Sequence, residues 1–209
     1  MADNKFSIGD SFAYGIEKTK KFFWPTIGIY LLLVICQSAL IGLYGFALYI
    51  NVLLGIIAWL ALFLFDYVIS IGWIKTALAV LSGKKPEFKY FTWDNLKYFW
   101  TYLGTNILIS LIVIAGTILL IIPGIVWTLT YAFAPILVID QKLSVTKALA
   151  ASRQIVTGQR WNVFVWYLAI GVFNFVGMLL LGIGLLFTIP VTFFATSYVY
   201  GKLAGKEIK

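Results

Sequence analysis

The sequence contains no histidine, so it lacks the side chain that proteins use most often as a general base near neutral pH and as a metal ligand. Its single cysteine, Cys36, excludes an intramolecular disulfide. Acidic residues are also few, with eight Asp and Glu against sixteen Lys and Arg. The sequence therefore predicts a protein that is not an enzyme. No catalytic residue, no cofactor, no cofactor-binding residue and no metal ligand is predicted.

Charge of either sign is scarce along the chain. Only 11% of the 209 residues are charged and 62% are hydrophobic, whereas about a quarter of the residues of a soluble domain are charged. The basic residues fall into four clusters, at residues 5–21, 75–97, 142–160 and 202–209. The apolar stretches between them are residues 22–74, 98–139 and 161–201, and their only carboxylate is Asp66.

This alternation predicts the topology of the chain. Each apolar stretch is long enough to cross a bilayer twice, at about 20 residues per crossing. All four basic clusters then lie on one side of the membrane, which the positive-inside rule identifies as the cytoplasm. The predicted fold is an all-α integral membrane protein of the cell inner (cytoplasmic) membrane. It has six transmembrane helices arranged as three hairpins, with the N-terminus and the C-terminus both inside.

A cytoplasmic amphipathic interfacial helix is predicted before each hairpin. The first begins with Ser7 as a hydroxyl cap and Asp10 three residues later, the form of a capping box. Its apolar side, with Ile8, Phe12 and Ile16, is predicted to face the acyl chains. The second and third segments are residues 88–99 and 144–158.

An internal repeat underlies this layout. A shift of 137 residues places residues 6–31 over residues 143–168 without a gap. The identical pairs are Ser7/Ser144, Ala13/Ala150, Trp24/Trp161, Tyr30/Tyr167 and Leu31/Leu168. We therefore predict a single membrane domain over residues 1–209, built from repeat-like units near 6–81, 86–140 and 143–202 that share one orientation.

The second hairpin has a predicted external corner at Ile122-Pro123-Gly124. Proline disfavours helix at the residue before it, and glycine tolerates a positive φ. The returning span would then run from Ile125 to Ile139, about 22 Å at 1.5 Å per residue, which is shorter than the ~30 Å hydrocarbon core.

The C-terminal half of the chain resembles a family of bacterial multi-pass membrane proteins of unknown function, related to the membrane domain of glycerophosphoryl diester phosphodiesterases. The matching residues are Ile122-Pro123-Gly124, Leu143-Ser144-Val145, Ala148-Leu149, Ser152, Gly158, Trp161, Gly182-Ile183-Gly184 and Pro190. The resemblance implies an integral membrane protein without implying an activity. The phosphodiesterase chemistry of the related proteins uses a His and carboxylate site, and this chain has no histidine.

Four polar residues inside the predicted spans form a candidate intramembrane site: Asp66, Asn106, Gln37 and Asn174. A carboxylate inside a membrane is costly and marks a functional candidate. Asp66 and Asn106 are predicted at similar depth, where they could hydrogen-bond across helices. Gln37 corresponds to Asn174 under the repeat, so the two amides could line a shared cavity. The alternative is that all four only tie helices together.

Six basic residues of the first and third interfacial helices are predicted to contact lipid headgroups: Lys18, Lys20, Lys21, Lys147, Arg153 and Arg160. The predicted partners are membrane lipids with anionic headgroups, either bound specifically or attracted generally to an anionic leaflet. A nucleic-acid partner is not predicted, because the positive charge alternates with apolar spans. A protein partner or an oligomer is left open by the sequence.

The sequence supports two functional hypotheses. The first is a non-enzymatic inner-membrane protein that interacts with lipids or acts in membrane homeostasis. The alternative is a small transporter or channel subunit that uses Asp66, Asn106, Gln37 and Asn174. The two differ in the expected effect of Asp66→Asn, which should impair transport but be tolerated by a lipid-binding protein.

Overall fold

The computed structural model describes residues 5–180 and 182–208, and all secondary structure in these ranges is helical. The α-helices are α1 Ile8–Lys21, α2 Phe23–Ile50, α3 Val52–Leu81, α4 Phe99–Leu119, α5 Ile121–Tyr131, α6 Ala134–Gln141, α7 Val145–Val156, α8 Arg160–Leu179 and α9 Leu185–Leu203. Two short 3₁₀ helices, Phe88–Tyr90 and Trp93–Tyr98, connect α3 to α4. The predicted end of the fifth span, residue 181, lies outside the described residues.

Five helical segments in this part of the chain are long and apolar enough to cross a membrane, as expected of a multi-pass membrane protein. They are Phe23–Ile50, Val52–Leu81, Phe88–Leu119, Ile121–Gln141 and Arg160–Leu179. The predicted sixth span corresponds to α9, which is not among these five. Its inner face carries hydroxyl residues, including Thr188, Thr192 and Ser197, which lower its hydropathy.

The helix α9 is the interior helix of the molecule. Its residues Val191, Phe194, Ala195, Val199 and Tyr200 are all fully buried. It packs against α1, α3 and α8. Because α9 is enclosed by protein, it does not need a surface as apolar as that of a helix facing lipid.

The helix α1 packs along α9 through a row of small side chains. Ser11 and Thr19 are fully buried, and Gly15 lies between them at helical spacing. A Cβ added at Gly15 would lie 2.8 Å from the Ala195 Cβ and closer still to the Val191 carbonyl oxygen. Small residues four apart allow two helix backbones to approach this closely.

The start of α1 confirms the predicted cap, since the Ser7 Oγ accepts a hydrogen bond from the Asp10 amide at 3.3 Å. The predicted orientation of its apolar side is wrong at Phe12. That ring packs on Trp166 and Phe173 of α8, at centroid distances of 5.0 and 5.2 Å, instead of facing acyl chains. The helix α1 therefore lies at the edge of the helix bundle and also packs against its other helices.

The helix α7 repeats this arrangement in the second half of the chain. The starts of α1 and α7, and those of α2 and α8, are both 137 residues apart. The buried residues Ala148, Ser152 and Val156 of α7 occupy the positions equivalent to Ser11, Gly15 and Thr19. The Ser152 Oγ donates to the carbonyl oxygen of Thr130 in α5 at 2.8 Å. The repeated sequence thus gives helices that begin, and bury a face, in the same register.

The second connecting segment differs from the prediction, because residues 88–98 form two 3₁₀ helices and no amphipathic α-helix. The fully buried Asn95 attaches it to α3. Its Nδ2 donates to the carbonyl oxygens of Val68 and Tyr90, at 3.2 and 2.9 Å, and its Oδ1 accepts from the Lys75 Nζ. Each connecting segment therefore packs on the returning arm of a hairpin: residues 88–98 on α3, α7 on α5 and α6, and α1 on α9.

The predicted corner of the second hairpin is also corrected. The chain turns at Leu120, whose backbone is extended at φ −163° and ψ 144°, and α5 begins at Ile121. Pro123 lies in the first turn of α5, where an amide has no intrahelical partner to lose. Glycine is required at position 124 because α4 and α5 approach closely there, and an added Cβ would clash with the Thr117 hydroxyl. The returning arm, Ile121–Gln141, has 21 residues and is about 32 Å long, enough for the ~30 Å core.

The packing of α1 on α9 predicts different outcomes for the same substitution at two glycines. Gly15→Ala should lower the free energy of unfolding by about 1–3 kcal/mol, because the added methyl group meets the α9 backbone. Gly28→Ala in α2 has no atom within 4 Å of the new Cβ and should be neutral or stabilising by up to ~1 kcal/mol. Thermal unfolding in detergent, followed by tryptophan fluorescence, measures both. Equal shifts in Tm would contradict the close contact.

Candidate functional site

Asp66 and Gln37 form a hydrogen-bonded pair within the first hairpin. Asp66 lies near the midpoint of α3 and Gln37 near the midpoint of α2. The Gln37 Nε2 donates to the Asp66 Oδ1 at 2.6 Å. The predicted bond between Asp66 and Asn106 is wrong, because the Asn106 Nδ2 donates to the carbonyl oxygen of Tyr102 in its own helix at 2.9 Å. Asp66 is therefore bound by the amide of its own hairpin.

Asn174 forms the corresponding pair in the third hairpin. Its Nδ2 donates to the Thr192 Oγ1 of α9 at 3.3 Å. Gln37 and Asn174 are equivalent under the 137-residue shift, so the outgoing arm of each hairpin carries an amide that donates to the returning arm. The carbonyl oxygens of both amides are buried and have no hydrogen-bond partner among the described residues. Each amide thus joins the two arms of its hairpin, and its carbonyl oxygen can still accept a hydrogen bond.

The two pairs line separate cavities, and a third cavity adjoins both. A cavity of about 270 Å³ contains Asp66 and Gln37, and one of about 400 Å³ contains Asn174 and Thr192. Between them lies a cavity of about 360 Å³. It shares Tyr30, Ser70 and Trp73 with the first cavity, and Ile74, Ile189 and Phe193 with the second. Asn106 lines none of these three cavities.

Lys18 differs from the other five residues predicted to contact headgroups. It is largely buried, with its Nζ 3.3 Å from the Glu17 carboxylate and 5.1 Å from the centre of the Tyr14 ring. Burial, and to a smaller extent Glu17 and Tyr198, raises the pKa of the Tyr14 phenol above its ordinary value. The neutral phenol donates to the Val80 carbonyl oxygen at 3.3 Å. Lys18 therefore stabilises the packing of α1.

The remaining five basic residues, Lys20, Lys21, Lys147, Arg153 and Arg160, are exposed. Arg160 differs from the others because it borders an apolar groove of about 430 Å³ between α5 and α8. The other residues lining this groove are Ile122, Ile125, Val126, Leu129, Trp161 and Phe164. Trp161 and Phe164 stack at 5.4 Å with their planes 30° apart. Nothing in the described chain forms a hydrogen bond or ion pair with the Arg160 guanidinium.

The groove also contains Ile122, which was predicted at the external corner of the second hairpin, whereas Arg160 was predicted on the cytoplasmic side.

Two polar contacts were missed by the sequence analysis. The Asp140 carboxylate accepts from the Tyr200 hydroxyl and from the Lys206 Nζ, both at 2.5 Å. It therefore attaches the end of α6 both to α9 and to the segment after α9. Asn95 attaches residues 88–98 to α3. Asp140 follows the apolar stretch 98–139 directly, and Asn95 lies between Asp94 and Lys97. In the sequence, therefore, neither residue could be distinguished from a polar residue that is exposed to solvent.

Comparison with known proteins identifies no relative, because no family model, curated protein or solved structure matches the chain. The resemblance of the C-terminal half to a bacterial multi-pass family therefore stays a prediction.

The pair of Gln37 and Asp66 should show coupling in a double-mutant cycle. Gln37→Leu and Asp66→Leu each leave one polar partner unsatisfied, whereas the double variant removes both, so its loss of stability should be smaller than the sum by on the order of 1 kcal/mol. Asp66→Asn retains an acceptor and should change little. Unfolding free energies in detergent supply the values.

The matched control is a second cycle that combines Asp66→Leu with Asn106→Leu. Those two changes should add within about 0.5 kcal/mol, because the side chains share no contact. Coupling in the second cycle and additivity in the first would show that Asp66 bonds to Asn106 instead.

Proposed function

We propose that this chain is a non-enzymatic multi-pass protein of the cytoplasmic membrane that binds anionic lipids. In the proposed topology, three hairpins supply six membrane-crossing helices and both termini lie inside. The apolar helices, and the four basic clusters that alternate with the apolar stretches along the sequence, support this arrangement. The lipid-binding proposal rests on the apolar groove with Arg160 at its edge, since no other described residue pairs with this guanidinium.

The chemistry of this groove suits a phospholipid. A guanidinium can bind a phosphate through two parallel hydrogen bonds, and it stays charged at any physiological pH. Ile125 and Leu129 on α5, and the stacked Trp161 and Phe164 on α8, offer the two walls of an acyl-chain site. Trp161 is 73% exposed, as expected of a residue at the boundary between headgroups and hydrocarbon.

A soluble anion fits this groove less well than a lipid. Apart from the guanidinium, all the residues that line it are apolar, so a free phosphate would leave the groove unfilled. A phospholipid satisfies both parts at once, because its phosphate pairs with Arg160 while its chain covers the isoleucine and leucine side chains.

The alternative, a small transporter or channel subunit, is supported by three adjoining cavities, the outer two of which are lined by Asp66 and Gln37 and by Asn174. It would use three of the four predicted polar residues, since Asn106 lines none of these cavities. Solute flux into proteoliposomes that Asp66→Asn abolishes would favour this alternative over lipid binding.

Native mass spectrometry of the full chain in mild detergent with added phosphatidylglycerol tests whether the groove binds lipid. We expect one stoichiometric lipid on the native protein and a loss of about tenfold or more in occupancy for Arg160→Gln, because charge-assisted hydrogen bonds contribute roughly 1.5–3 kcal/mol. Ile125→Trp fills the groove while keeping the charge and should also displace the lipid.

Arg153→Gln provides the matched control, because Arg153 is exposed on α7 and lies outside the groove. This variant should retain the lipid. An equal loss for both arginine variants would reduce the interaction to general attraction for an anionic leaflet. Retention by both Arg160→Gln and Ile125→Trp would show that the groove is not the site.

A further inference from the structure

The cavity of about 400 Å³ that contains Asn174, here called the central cavity, combines an apolar lining with one polar wall. It lies among α3, α6, α8 and α9. The polar wall is the face of α9 that carries Thr192, Thr196 and Ser197. Its volume lies within the range of about 300–1,000 Å³ that is typical of small-molecule sites in proteins.

Each hydroxyl group of this wall already donates its hydrogen to a backbone carbonyl oxygen of α9. Thr192 donates to the carbonyl oxygen of Thr188 at 3.0 Å, and Thr196 donates to that of Thr192 at 2.7 Å. Ser197 donates to the carbonyl oxygen of Phe194 at 2.7 Å. A hydroxyl that donates in this way still has lone pairs, so the wall offers acceptors to whatever occupies the cavity.

Asn174 adds a buried acceptor that lacks a donor. Its Nδ2 is bonded to Thr192, while its Oδ1 is buried and has no hydrogen-bond partner among the described residues. Tyr200 also lines the cavity, but its hydroxyl donates to Asp140. Tyr167 is the one lining hydroxyl for which the described residues supply no partner. An occupant that donates a hydrogen bond therefore satisfies the Asn174 Oδ1, and it can accept one from Tyr167.

The residues that line the cavity also indicate the charge of the occupant and the polarity of the rest of the molecule. No Asp, Glu, Lys or Arg lines the central cavity, so a charged ligand would lose its hydration without gaining a counter-charge, which is strongly unfavourable. The remaining walls are apolar, among them Ile74, Ile136 and Phe193. Ile189 lines the cavity and is 38% exposed, which leaves a side open toward the bilayer.

We propose that the central cavity binds an uncharged amphiphile that carries a free hydroxyl group, of the class of long-chain alcohols and acylglycerols. The hydroxyl donates to the Asn174 Oδ1, and the hydrocarbon body lies against the isoleucine and phenylalanine side chains. The site is separate from the Arg160 groove and does not depend on it, since the two share no lining residue.

The test is photolabelling of the purified full chain in detergent with a long-chain alcohol that carries a diazirine in its hydrocarbon tail, followed by peptide mapping. Two matched probes have the same chain and diazirine: the methyl ether, which cannot donate, and the carboxylate, which is charged. We expect the alcohol to label peptides of α8 and α9 about tenfold more than either probe, because an unmet buried hydrogen bond costs about 1–3 kcal/mol.

Asn174→Leu should reduce the labelling by the alcohol to the level given by the ether. Asn106→Leu is the matched control, because that amide bonds within α4 and lies outside the cavity, so labelling should be unchanged. Asn174→Ala, which removes the same acceptor without adding a larger side chain, provides a second variant if Asn174→Leu does not fold. It should reduce labelling as well.

Arg160→Gln separates the two sites, since it should lower the occupancy of phosphatidylglycerol about tenfold or more and leave labelling of α8 and α9 unchanged. Equal labelling by the alcohol and the ether would overturn the proposal. Labelling spread evenly over the outward-facing residues of α2 and α3 would also overturn it, because it would reflect general partitioning into the detergent layer.

Discussion

The close packing of α1 on α9 is the contact on which the rest of the bundle depends. Gly15 lets the two backbones approach, and the fully buried Ser11 and Thr19 continue the contact along α1. With α1 in place, α9 is surrounded by protein. A helix with several hydroxyl residues is stable there because the hydroxyls of Thr192, Thr196 and Ser197 each donate to a backbone carbonyl oxygen. The central cavity owes its acceptor-rich wall to that arrangement.

The two equivalent amides show how a repeat can retain its geometry while its chemistry diverges. Gln37 and Asn174 both connect the arms of a hairpin, but one faces the carboxylate of Asp66 and the other the hydroxyl of Thr192. The first pair holds the only carboxylate of the apolar stretches, and the second lies beside an uncharged cavity.

Much of the helical organisation follows directly from the sequence. The apolar stretches, the cap at Ser7 and the shift of 137 residues correspond to helices found in the structure, because each depends on local composition or spacing. The second connecting segment was predicted less well. Its aromatic and charged residues alternate as in an amphipathic helix, but Asn95 bonds to α3 and the backbone takes up 3₁₀ turns instead.

The sequence by itself determined that this is a multi-pass helical protein and which of its polar residues lie in apolar surroundings. Only the tertiary structure decided the partners of those residues. The pairing of Asp66 with Gln37, the isolation of Asn106 and the position of Arg160 at an apolar groove all depend on how each helix is rotated and tilted against its neighbours. A hydropathy pattern records the length and polarity of a helix, whereas side-chain packing between helices sets its rotation and tilt.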